Sequence, residues 1–248
     1  MSDQPERTDE PDWTSIVDAY GDASHVPAML NDTLSGDPTT RRSAIERLWG
    51  SLCHQGTVYE ATPVAVRFIA KLIAEGTTTD DVRAHLTFLL ASIANADSFV
   101  LPGNDQMVRA DWRRDTDEPR PERDLIEECR TAVVAVAPQL IGLLPTAPPA
   151  MRGGLIALAG SVARELPEEV EPIISDFANQ ANDRHLAESA LLVMSILRDD
   201  HITAQQLREG ADAELRDYLD AIADWPITIQ VRDAIRELAE RASNPWLD

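Results

Sequence analysis

The residues best equipped for chemistry in this 248-residue chain lie in one run, Cys53-His54-Gln55-Gly56-Thr57-Val58-Tyr59-Glu60-Ala61-Thr62. His54 brings a titratable imidazole, Gln55 a donor and an acceptor, Tyr59 a hydroxyl and Glu60 a carboxylate. On a loop held between helices, such a set suits recognition of a polar partner, because binding functions concentrate on loops fixed by a rigid scaffold. The same residues also admit a structural reading. Gly56 would then cap the preceding helix, His54 and Gln55 would bond its last carbonyls, and Thr62-Pro63 would start the next helix. Catalysis by the neighbours Cys53 and His54 is disfavoured, because adjacent helical residues point about 100° apart.

A second candidate is Trp112-Arg113-Arg114, the one compact basic and aromatic spot in the chain. Tryptophan and arginine are the types most enriched where binding energy concentrates in interfaces. With Trp49 on the flanking helix, the candidate binding set is Trp49, His54, Gln55, Tyr59, Glu60, Trp112, Arg113 and Arg114. No HExxH, GxSxG, phosphate-loop or GxGxxG motif occurs. The sequence therefore predicts no catalytic residue, no metal site and no cofactor. Cys53 and Cys129 belong to no CxxC pair and sit among apolar residues, where free cysteine behaves as a small hydrophobe.

The elements that must hold these residues are helical. Pro27, Pro63, Pro138 and Pro172 each precede an apolar run, at spacings of 36, 75 and 34 residues. Proline suits the first helical position, since its missing N–H would be unpaired there. Stripes at helical spacing follow each of them: Ala44, Ile45, Leu48, Trp49 and Leu52; Val82, Leu86, Leu89, Leu90 and Ile93; Leu155, Leu158, Ala159 and Val162; Leu186, Ala190, Leu191, Met194 and Leu197. No sustained two-residue alternation appears. A period in the mid-thirties points to stacked helix pairs, units that bury their apolar faces only against one another.

The reading is an all-α chain, an α-solenoid of about five antiparallel helix pairs forming one domain over 12–248, after an acidic disordered tail at 1–11. Trp13, Ile16, Val17 and Tyr20 are expected to form a short capping helix stopped by Gly21. The segment 96–121 is an irregular insertion that breaks the period. Gly153-Gly154 is expected to allow close helix packing, and Thr203 with Gln206 fits a capping box. The last pair is expected over 203–223 and 227–242, with Trp225-Pro226 as its turn.

The opening resembles a subset of bacterial HEAT-like repeat proteins of the phycobilisome-lyase type. The residues that carry the resemblance are Trp13, Tyr20-Gly21, Val26-Pro27, His54-Gln55-Gly56-Thr57, Tyr59 and Ala61-Thr62-Pro63. The resemblance implies a curved stack of antiparallel helix pairs and a binding scaffold. Metal-hydroxylase members of that class carry repeated His-Glu pairs, and none of the five histidines here precedes a glutamate.

Charge constrains the partner. The chain holds 22 basic and 43 acidic residues, a formal charge of −21, and Lys71 is its only lysine. Direct binding to nucleic acid is disfavoured, because that affinity rests on Lys and Arg neutralising phosphates. The imbalance serves solubility, or reflects a salt-loving host or the composition bias of a GC-rich genome, or it attracts a basic partner. With a polar start and no run of about 20 apolar residues, the chain is expected to be cytoplasmic and not membrane-bound. The expected function is a non-catalytic module that grips a protein or peptide through the concave face and the insertion. Two alternatives stand beside it: an acidic immunity or inhibitor protein that neutralises a basic toxin such as a nuclease, and a small-molecule or enzymatic site near His54, Tyr59 and Glu60.

Overall fold

A computed structural model describes residues 11–96 and 122–243. Trp112, Arg113, Arg114, the 97–121 part of the insertion, Trp246 and the first ten residues lie outside them. The described residues form eleven α-helices and two small hairpins, an all-α fold.

The chain opens with a hairpin where a capping helix is expected. Strand β1 (Val17–Asp18) pairs antiparallel with β2 (Gly21–Asp22). The cause is Asp18, whose Oδ1 accepts from the backbone N–H groups of Tyr20 (2.8 Å) and Gly21 (3.1 Å). A short side chain that bonds its own backbone ahead competes with helix and makes a turn. Gly21, at φ 139, takes a conformation open mainly to glycine.

Helices α1 (Val26–Asp32) and α2 (Pro38–Leu52) follow, then the hairpin of β3 (Cys53–His54) and β4 (Thr57–Val58). Next come α3 (Ala61–Glu75), α4 (Asp80–Ala94), α5 (Glu122–Ile141) and α6 (Pro149–Ser161). The chain continues through α7 (Val170–Gln180), α8 (Arg184–Leu197), α9 (Ala204–Gly210), α10 (Ala213–Ala221) and α11 (Ile227–Ser243). Side-chain caps set four of the starts. Asp37, Asp183 and Asp212 each accept a backbone N–H of the first turn, and Thr203 with Gln206 forms the expected capping box. Because Asp212 starts a new helix, the expected long segment 203–223 is instead two short helices, α9 and α10.

Proline predicts three of the four starts. Pro138 lies inside α5, and the helix runs on past it, with Gly142 N–H bonding the Pro138 carbonyl at 3.0 Å. A proline there forfeits a backbone bond, but its neighbours Ala137, Leu140 and Ile141 are fully buried, and that burial holds the turn helical. The proline that leads the next helix is Pro149, the first residue of α6.

Helices α1, α3, α5 and α7 touch in succession, and so do α2, α4, α6 and α8. Helix α11 then lies against both α6 and α8. From Val82 to Ala94 only Arg83 and Ser92 of α4 are partly exposed, and from Met151 to Ser161 only Arg152 of α6 is. Helices apolar all round belong in the centre of a fold. The glycines of α6 make this possible: Gly154 faces Thr87 and Ala84 of α4, while Gly153 and Gly160 face Ala239 and Ile235 of α11. No helix among the described residues is long and apolar enough to cross a membrane.

One buried group in this centre gives the fold a pH dependence. Burial pushes the pKa of His85, on α4, down from 6.5 to about 4; Arg42 acts in the same direction, and the carboxylates of Asp81 and Glu46 oppose it more weakly. The unfolded chain takes up this proton near 6.5, whereas the folded chain refuses it until about 4. Stability from this group is thus complete above pH 6.5 and lost as pH falls towards 4, by up to about 3 kcal/mol. His85→Gln is expected to flatten that loss. Denaturant unfolding across this range checks it, and equal slopes in both proteins would assign the dependence to other groups.

Candidate binding site

The residues expected to form a site around His54 divide into two sets, one facing outward and one facing inward. The turn between β3 and β4 consists of Gln55 (φ 50) and Gly56 (φ 83). Two positive φ angles in a two-residue loop match the twist of the flanking strands. Gly56 is therefore a turn residue and not the helix cap expected of it. Helix α2 ends through other groups: Cys53 N–H bonds the Trp49 carbonyl, and the Thr62 hydroxyl donates to the Leu52 carbonyl at 2.7 Å. The same Thr62 oxygen accepts from Tyr59 N–H at 2.9 Å. Thr62, wholly buried, thus fastens both ends of the hairpin.

Glu60 turns inward and accepts from Val17 N–H through Oε2 at 3.2 Å, which ties the second hairpin to the first. A backbone bond from Ala19 N–H to the Ser51 carbonyl (3.1 Å) adds to the join. Beneath it, Asp18 is wholly buried and its Oδ2 lies 2.7 Å from His25 Nε2. Tyr59 is buried, and desolvation raises its pKa to about 12, with Cys53, Tyr20 and Asp18 adding to the shift. The Cys53 thiol is pushed up to about 11, mainly by burial. Neither group is ionised near neutrality, so neither serves as a ready nucleophile or base.

His54 and Gln55 face solvent. Beside them stands Tyr20, 70% exposed, with its ring edge-on to His54 at 6.2 Å between centroids. The Tyr20 hydroxyl passes over Gly50, where an added Cβ would sit 3.0 Å from it. Trp49 is half-buried on α2, and its indole Nε1 is enclosed without a hydrogen-bond partner among the described residues. The structure therefore brings His54 and Gln55 together with Tyr20, which the sequence places in a capping helix. Tyr59, Glu60 and Trp49 belong to the support beneath. No group of three or more His, Cys, Asp or Glu side chains among the described residues is placed to hold a metal ion.

A second polar cluster, missed in the sequence, joins the ends of α4 and α6. Arg130 of α5 donates to the carbonyls of Ala94 (2.9 Å) and Ser161 (3.0 Å), the last residues of those two helices. The same guanidinium meets Glu165 in a forked pair at 2.9 and 3.1 Å. Asn95 Nδ2 donates to the Ser161 hydroxyl at 2.8 Å, and Arg232 of α11 reaches Asn95 Oδ1 at 3.5 Å. A cation at two helix C-termini opposes the negative ends of both dipoles. Arginine among acidic neighbours reads from sequence as surface charge, and its carbonyl partners lie 31 and 36 residues away. Next to this cluster opens a cleft of ≈ 350 Å³ between the ends of α6 and α8 and the start of α11. No family model, no curated protein and no solved structure matches this chain.

Proposed function

We propose that the chain is a non-catalytic protein-binding module, built as a HEAT-like stack of helix pairs, whose partner is a basic protein. The succession of α1, α3, α5 and α7 beside that of α2, α4, α6 and α8 supports the stacked-pair reading. The observation that carries the binding reading is the platform of Tyr20, His54 and Gln55. These groups point outward from two hairpins that Glu60 and the Ala19–Ser51 backbone bond join, the first fixed internally by Asp18 and the second by Thr62. Gln55 holds a positive φ that costs a non-glycine residue about 1 kcal/mol, and strain of this kind clusters at functional positions. Titratable groups below the platform are used in holding it, which favours recognition over chemistry.

Docking on the concave face has little room at α4 and α6, since both are enclosed. On this reading the contact falls on the hairpins and on the exposed side of α2 around Arg42, Glu46 and Arg47. A formal charge of −21 steers basic partners and makes their association rate fall as salt rises. An immunity-type inhibitor of a basic toxin is the narrower form of the same proposal.

The test is affinity capture from the native host at low and high salt, followed by kinetics with the recovered partner. A basic partner is expected, with a salt-dependent association rate. Tyr20→Ala with Gln55→Gly should weaken binding about tenfold or more while leaving Tm unchanged or raised, because glycine relieves the positive φ. A partner bound equally well by that double variant would move the site elsewhere, and a salt-independent rate would remove the steering.

A further inference from the structure

The cleft beside Arg130 is lined by charges of both signs. Arg164 follows the end of α6 and Arg232 lies on α11, while Asp199 and Asp200 belong to the connection after α8. Ile202 and Ile227 also line it, so the cleft is part apolar. Arg164 is exposed and, like the carboxylates of Asp199 and Asp200, makes no ion pair among the described residues. Arg164 and the carboxylates of Asp199 and Asp200 therefore share one concavity without pairing among the described residues. Arg130 is nearly used up by Glu165 and the two helix-end carbonyls, which makes its part of the lining rigid.

Asp199 is a second, independent sign. It stands at φ 54 just past the end of α8, and the next N–H, of Asp200, bonds back to the Ser195 carbonyl at 2.9 Å. That backbone turn normally takes glycine. An aspartate there strains the backbone and sets a carboxylate on the cleft wall. Counting Arg130, Arg164 and Arg232 against Glu165, Asp199 and Asp200, the lining is formally neutral. A dianion such as phosphate gains little from a neutral lining. A zwitterion gains at both ends, and its apolar middle meets the isoleucines. The volume lies within the range of sites that enclose small molecules.

We propose that this cleft binds a short apolar peptide with free termini, two or three residues long. Its carboxylate meets Arg164 and Arg232, and its ammonium meets Asp199 and Asp200. The proposal is independent of the docking platform at Tyr20.

The experiment is calorimetric titration of the full chain with leucyl-leucine, with its C-terminal amide and with its N-acetyl form. Leucyl-leucine is expected to bind saturably, and each blocked form at least about tenfold more weakly, since each loses one charge-assisted contact. Arg164→Ala is expected to lose affinity by a similar factor. So is the double variant Asp199→Gly with Asp200→Ser, while its Tm holds or rises because glycine suits the turn. Absence of saturable heat with leucyl-leucine overturns the proposal. Equal binding of either blocked dipeptide, or wild-type affinity in either variant, overturns it too.

Discussion

Replacing Arg130 with methionine is expected to lower the unfolding free energy by about 3 kcal/mol, near 10 °C in Tm for a chain of this size. Methionine keeps the apolar stem, so the loss isolates the guanidinium. That group makes two kinds of bond of unequal worth. The pair with Glu165 is partly exposed, with 38% of the glutamate side chain accessible, and exposed pairs contribute at most about 1 kcal/mol. The bonds to the Ala94 and Ser161 carbonyls are half-buried and charge-assisted, and each such bond contributes roughly 1.5–3 kcal/mol. Without them two helix ends keep carbonyls that no other described group serves. Glu165→Gln should therefore cost about 1 kcal/mol, much less than Arg130→Met. Urea unfolding of both variants decides the matter. Equal losses would mean that the ion pair, not the helix-end bonding, is what Arg130 contributes.

How far the sequence announces this arrangement depends on where each signal resides. Helices are carried by local repetition, so the stripes through Leu48, Leu89, Leu158 and Leu186 and the caps at Asp183 and Thr203 correspond to helices in the structure. The two hairpins have strands of only two residues, too short for any alternation to show. Their turns are hidden as well. Gln55-Gly56 does the work usually done by Asn-Gly, and Asp18 makes its turn through its own side chain. Of the candidate site, His54 and Gln55 are legible as exposed polar residues, but their neighbour Tyr20 is not, because 34 residues separate it from His54. Tyr59 and Glu60 look like ligand-binding groups in sequence because residue type does not reveal direction. In the structure Glu60 bonds a backbone N–H of the first hairpin. Pro138 marks the same limit from another side: proline signals a helix start only where local geometry decides, and at α5 burial of Ala137, Leu140 and Ile141 decides instead.

Gly153→Ala sets two such influences directly against each other, and the expected result is a loss of about 2 kcal/mol. Helix propensity alone predicts a gain near 1 kcal/mol, because alanine loses less backbone entropy than glycine on folding. Packing opposes it. A Cβ at Gly153 would lie 2.5 Å from the Ala239 carbonyl oxygen of α11 and 2.8 Å from Ser243 Cβ. Ser243 can turn aside, but the carbonyl belongs to helix backbone, so α6 and α11 must separate. Such overpacking costs about 1–3 kcal/mol and more where backbone must move. Gly160, seven residues on, meets Ile235 at 2.8 Å on the same side, so once the helices part for Gly153→Ala, a second change at Gly160→Ala should cost less than it does alone. Gly210→Ala is the control, since nothing lies within 4 Å of its added Cβ and the change should be neutral or slightly stabilising. Opposite signs at 153 and 210 in denaturant unfolding would establish the close seating of α11 on α6. A gain at 153 would mean a looser contact, and with it the cleft wall that α11 supplies through Ile227 and Arg232 would lose its fixed position.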